Sequence, residues 1–221
     1  MKTILILSLG LVVAAAAATA DDNAPFVWSR ASLDLIASGD PVRGEEIAGK
    51  VRCSKCHGET GVSEDDETPS IAGQVRAYTY KQLVDYKTGL RDSSDMAKAV
   101  RKLSHQDMAD LAAYFATQTP EAPAVTEPVP RLVAFGDESR LLLPCAVCHG
   151  EKGEGWGDQV PSLAGQKIDH LIETMTAYRT GERANDEFAR MRFIAGQLTP
   201  DEINEVALHY AAARVEEDDD E

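Results

Sequence analysis

The chain has 221 residues, room for one large domain or two small ones. Its formal net charge of −15 repels nucleic acid and anionic lipid, excluding both as partners, and favours docking to a basic protein face. Beyond the first twenty residues no apolar run is long enough to cross a bilayer, so any membrane association passes through partners or an uncleaved N-terminal anchor.

Residues 1–20 read as a secretory signal peptide. Lys2 supplies the positive start, Ile4 to Ala18 the apolar stretch, and Ala18-Thr19-Ala20 a small-x-small cleavage pattern. Export to the periplasm with cleavage near Ala20 is the expectation. Residues 21–38 follow as an N-terminal extension carrying Phe26 and Trp28.

The next element is a helix expected from about Gly44 to Cys56, ending in Cys53-Ser54-Lys55-Cys56-His57. The same string returns as Cys145-Ala146-Val147-Cys148-His149, after a helix expected from about Gly136 to Cys148. Cysteines three apart on a helical turn face one way, so two thiols can add to the two vinyl groups on one porphyrin edge. The histidine that follows is then carried under the iron. Cys53, Cys56, Cys145 and Cys148 are therefore assigned as thioether positions of two covalent c-type haems, and His57 and His149 as proximal ligands. Disulfide and zinc-site spacings do not fit two distant pairs, each followed at once by histidine.

Laid on itself, the chain is a duplication. An offset of 92 carries Cys53 to Cys145, Pro69-Ser70-Ile71-Ala72-Gly73-Gln74 to Pro161-Ser162-Leu163-Ala164-Gly165-Gln166, Tyr86 to Tyr178, and Arg91 to Arg183. The offset then becomes 95, so that Met96 falls on Met191 and Ser104 on Thr199, with three extra residues in the second copy. A middle helix follows each Gly-Gln, with Ile168, Leu171, Ile172 and Met175 at helical spacing and Gly181 as its stop. A last helix starts at Ser104-His105-Gln106-Asp107 and at Thr199-Pro200-Asp201-Glu202, the second with a cap, a proline at the first position and a glutamate three residues after the cap. No stretch alternates with period two. The fold class is all-α: two tandem domains, 39–118 and 132–214, joined by a proline-rich linker over 119–131 and followed by an acidic tail at 215–221. Each domain has about eighty residues and few aromatics, marginal as a bare core, so a buried haem would complete it.

The sixth ligand must come from Met96, Met108, Met175, Met191, His105, His170 or His209. Two copies of one site should use corresponding residues, and only Met96 and Met191 correspond. A methionine sulfur raises the potential and closes the coordination shell, which points to electron transfer rather than catalysis at iron. Pro69 and Pro161 each lie twelve residues after a proximal histidine, where a carbonyl could accept the other ring N–H; an ordinary loop proline is the alternative. Arg91 and Arg183 have two readings, facing haem propionates or answering a helix dipole. Trp156, whose counterpart is Glu64, either dries the second haem's surroundings or lies on the surface.

With these residues in view, the chain resembles the dihaem cytochrome c4 family over roughly Gly39 to Arg214. The resemblance rests on the two Cys-x-x-Cys-His strings, the paired Pro-Ser-x-Ala-Gly-Gln strings and the methionine ahead of each last helix. It implies two class I cytochrome c domains related by pseudo-twofold symmetry, and a carrier of single electrons from a quinol-oxidising complex or dehydrogenase to a terminal oxidase. The alternative is a cytochrome subunit of an enzyme complex such as a flavin-dependent sulfide dehydrogenase (flavocytochrome c). A dihaem peroxidase would need one iron with an exchangeable site. The extension at 21–38 is longer than a plain carrier needs and reads as a docking arm.

Overall fold

The computed structural model describes residues 24–120 and 128–212. The predicted signal peptide, the middle of the proline-rich linker and the acidic tail lie outside them. Among the described residues the secondary structure is helical, and the only β features are two isolated bridges.

In the first lobe α1 (Arg30–Ala37) starts at a capping box between Ser29 and Ser32. The second helix, α2 (Pro41–Val51), has Asp40 as its cap and Pro41 at its first position, and it stops where Arg52 turns left-handed at φ 66°. A single turn, α3 (Ser54–His57), carries the first Cys-His string. Then come α4 (Arg76–Thr88), α5 (Ser94–Val100) and α6 (His105–Ala116), the last opened by the Ser104–Asp107 capping box. α2 lies across α6 at contact distance because Gly44 faces it; a Cβ there would stand 2.1 Å from the carbonyl oxygen of Asp110. Val84, Val100, Met108 and Leu111 form the fully buried centre.

The second lobe keeps the later helices: α9 (Ile168–Thr180), α10 (Arg190–Ala195) and α11 (Pro200–Ala212). The helix expected over 136–148 is absent. In its place stand two short turns, α7 (Arg131–Ala134) and α8 (Ala146–His149), with a 3₁₀ turn at Glu138–Arg140 between them. Pro144 has no N–H to donate and its ring would collide with the preceding turn. Leu141 is left-handed at φ 57°, and Asp137 and Leu142 exchange both backbone hydrogen bonds at 2.9 Å instead.

One device survives this change. In the first lobe Arg43 of α2 pairs with Asp107 and with Asp110 (3.2 Å) on α6. In the second lobe Arg140 pairs with Glu202 on α11 (2.7 Å) and with Asp137 (2.9 Å). An arginine thus pins the start of the last helix in both lobes, from a helix in one and from a 3₁₀ turn in the other.

The lobes meet through the repeated Pro-Ser-x-Ala-Gly-Gln strings. The Gln166 side chain accepts from Ser70 N (2.8 Å) and donates to Ser70 O (2.9 Å). Gln74 does the same to Ser162, accepting at 2.9 Å and donating at 3.0 Å. This reciprocal exchange is what a twofold relation between the copies produces. The backbone of each string is also tied to its own last helix, Gly73 N to Phe115 O (2.8 Å) and Gly165 N to Tyr210 O (2.9 Å).

The N-terminal extension is seated on its own protein through its two aromatic residues. Phe26 packs edge-on against Trp28 (4.7 Å between ring centroids) and against Tyr80 (5.7 Å), so the extension lies on the first lobe's core.

Candidate haem sites

Each Cys-x-x-Cys-His string occupies one helical turn, with Cys53 and Cys145 at the N-caps of α3 and α8. The four thiols are not joined in disulfides. Burial pushes those of Cys53 and Cys145 up to about 11, which keeps them protonated at neutral pH. The glycine after each histidine is required by its backbone: Gly58 has φ +79° and a Cβ there would meet Val62 O at 1.9 Å.

The two histidines are oriented alike. His57 Nδ1 lies 2.8 Å from the carbonyl oxygen of Pro69, and His149 Nδ1 lies 3.1 Å from that of Pro161. Burial lowers the pKa of both rings, outweighing the opposite pull of the proline carbonyls. A neutral ring donating from Nδ1 leaves the Nε2 lone pair for a metal. Paired unbridged thiols one turn apart and a neutral histidine with one free nitrogen form a donor set that fits covalently attached haem. Tyr210 escaped the sequence reading: its ring stands behind His149 (6.4 Å between centroids) and its hydroxyl donates to Gly150 O (3.1 Å). Only its place in the last helix marked it as core.

Met96 sits in α5, its N–H donating to Ser93 Oγ (3.3 Å), and its side chain packs against the first core. Met191 is the second residue of α10, which begins directly after two left-handed residues, Phe188 (φ 56°) and Ala189 (φ 55°). The other candidates are engaged elsewhere. Met108 is wholly buried in the first core and Met175 packs against the second. His105 Nδ1 lies 2.6 Å from Tyr80 Oη, His209 Nε2 donates to Glu151 O (2.7 Å), and His170 lies 3.4 Å from Thr174 Oγ1.

Arg91 and Arg183 converge at the lobe interface. Each guanidinium lies over a tyrosine of its own lobe, Tyr86 (4.7 Å) and Tyr178 (4.6 Å). Both donate to Gln82 Oε1, at 2.8 and 3.0 Å. Trp156 is 75% exposed, which places it on the surface.

The family model for cytochrome c matches the chain twice, at residues 41–119 and 140–209. Cytochrome c4 of Thiocapsa roseopersicina is 36% identical over 177 residues, covering 76% of this chain and 90% of that one. A protein of Stutzerimonas stutzeri named thiosulfate dehydrogenase electron acceptor is 34% identical over 167 residues, covering 72% of this chain and 77% of that one. The fold matches the crystal structure of reduced cytochrome c4 from Pseudomonas stutzeri with a TM-score of 0.74 and 28% identity, over 80% of this chain and all of that one.

Proposed function

The chain belongs to the cytochrome c family as a dihaem electron-transfer protein of the cytochrome c4 type, with two covalently bound c-type haems, and on that premise we propose that it is a periplasmic shuttle in which His57 with Met96 and His149 with Met191 are the axial iron ligands. When bound, each haem supplies a one-electron iron couple. The protein's own residues set the conditions for it. Cys53, Cys56, Cys145 and Cys148 hold the porphyrin edges, while the carbonyls of Pro69 and Pro161 fix the proximal rings and strengthen them as donors. Met96 and Met191 would complete the ligand set with a thioether sulfur, which would favour the reduced state. With both histidine and methionine in place, the iron would have no open position for substrate.

The observation that carries this reading is the matched pair of proline-held histidines, combined with the correspondence of Met96 and Met191, the one distal pair the two copies share. The donor is a quinol-oxidising complex or a dehydrogenase and the acceptor a terminal oxidase, each presenting a basic face to this acidic protein. Stopped-flow oxidation by a purified terminal oxidase should be fast and should slow steeply with added salt. Oxidation indifferent to salt would sink the proposed docking.

A second reading is favoured by the relative named as an electron acceptor of thiosulfate dehydrogenase: a lasting electron-accepting subunit of such an enzyme complex. Size-exclusion chromatography of native periplasmic extract separates the two. A free shuttle elutes at its own mass; a stoichiometric complex with a dehydrogenase establishes the subunit role.

A further inference from the structure

The three extra residues of the second copy lie between Arg183 and Met191, and the electron-carrier role leaves them unexplained. In the fold this segment leans on the first lobe. Asn185 accepts from Lys81 Nζ at its carbonyl (2.7 Å), and its amide donates to Gln82 Oε1 (3.0 Å) and Asp85 Oδ2 (2.6 Å). Glu187 Oε1 accepts from Trp28 Nε1 (3.1 Å), a bond that reaches from the N-terminal extension into the second lobe. The anchor is firm, since Lys81 and Asp85 are themselves a buried ion pair one turn apart on α4 (2.5 Å). Beyond these anchors come Phe188 and Ala189, adjacent non-glycine residues in the left-handed region, and then Arg190 and Met191 at the start of α10. Backbone of that kind persists only where its surroundings over-determine it. From its own lobe the segment has Asn185 Oδ1, which accepts from Arg183 Nε (3.0 Å), and the Asp186 carboxylate, which accepts from Arg192 N (3.0 Å) and Nε (2.7 Å). The first lobe has no counterpart: Ser93 caps Met96 locally, and among the described residues no hydrogen bond from 92–96 crosses to the second lobe.

We propose that the first lobe positions the distal ligand of the second haem: Lys81, Gln82 and Asp85 of α4, with Trp28 of the extension, hold residues 185–187 and so set the turn that leads into Met191. The sixth ligand of one haem is thus set across the lobe interface, while that of the other is set within its own lobe. This rests on Met191 being an iron ligand, as proposed above.

The test uses the full-length dihaem protein and two readouts: the far-red methionine-to-iron band of the oxidised form, and both potentials by redox titration. Met96→Ala and Met191→Ala should each remove half of the band. Asn185→Ala, which deletes the amide bonds to α4 together with the bond from Arg183, should remove up to half of it and lower one potential while leaving the other in place. The Trp28 and Glu187 variants isolate the part that crosses the lobes. Trp28→Phe keeps the aromatic packing but loses the indole donor, and Glu187→Ala loses the acceptor; both should shift the same potential by less. Glu187→Gln still accepts from the indole and should restore the wild-type value. Should Asn185→Ala fail to fold, the Trp28 and Glu187 variants carry the test. Full band and unchanged potentials in these variants, with the band halved in Met191→Ala, would overturn the inference and leave the ligand reading standing. Equal shifts of both potentials would overturn it too, since that is general loosening. A whole band in Met191→Ala means that the ligand reading itself has failed.

Discussion

In the first lobe an unbroken helix, α2, presses Gly44 onto the backbone of α6, and a broad apolar core closes beneath it. In the second lobe the same place is taken by a chain that turns at Leu141, pauses at Pro144 and leaves Phe135, Leu141, Leu143 and Val147 largely exposed. Among the described residues the cores differ accordingly, the second being smaller and held by α9 against α11 with no counterpart of α2. Yet the histidine, its proline carbonyl and the arginine clamp on the last helix are retained in both lobes. Duplicated domains diverge in how they bury apolar surface and agree where a cofactor must be gripped.

This contrast can be broken most directly by removing one haem at a time. Cys145→Ala with Cys148→Ala should unfold most of the second lobe, whose protein core is the poorer, and helical circular dichroism should fall accordingly. Cys53→Ala with Cys56→Ala should leave more helix in the first lobe. Equal losses would mean that the missing helix does not matter to stability.

Gly44→Ala comes next in size. Its methyl group would force α2 off α6, an overpacking cost of about 2–3 kcal/mol, read as a lower midpoint in denaturant for the first lobe alone. An unchanged midpoint would show that α2 is not seated by that contact.

Gln166→Ala removes two interlobe bonds and leaves Ser70 N and O without them, a loss of about 1–3 kcal/mol. Differential scanning calorimetry should then split one transition into two. A single sharp transition would place the coupling elsewhere, for example in the contacts of Asn185.

The smallest effect concerns acid. Hydrogen bonds from Arg140, and then from Thr199, hold Glu202 down to about 2. A depressed carboxylate stabilises the fold fully above its ordinary value and loses that contribution as pH falls through its folded one. The thermal midpoint of the second lobe should therefore fall between pH about 4.5 and about 2, and Arg140→Gln should flatten the decline. A decline as steep in that variant would clear the clamp of this role.

Much of the site was legible in the linear chain because covalent haem attachment requires residues close in sequence. Cys53, Cys56 and His57 must share one helical turn, so the chemistry is written as a string, and its recurrence at a fixed offset exposes the duplication. Self-comparison also selects Met96 with Met191. The offset from the first copy points to a helix over 136–148, but Pro144 forbids it and the chain forms short turns there.

By itself, then, the sequence determined the helical class, the two haem-binding strings and the repeat, all properties of neighbouring residues or of regular spacing. Only the tertiary structure decided what Gln74 and Gln166 do, where Phe26 and Trp28 lie, and which lobe holds the turn before Met191. Those outcomes depend on pairs such as Trp28 and Glu187, 159 residues apart. No local pattern records such a pair, because its geometry exists only once both lobes have folded and met.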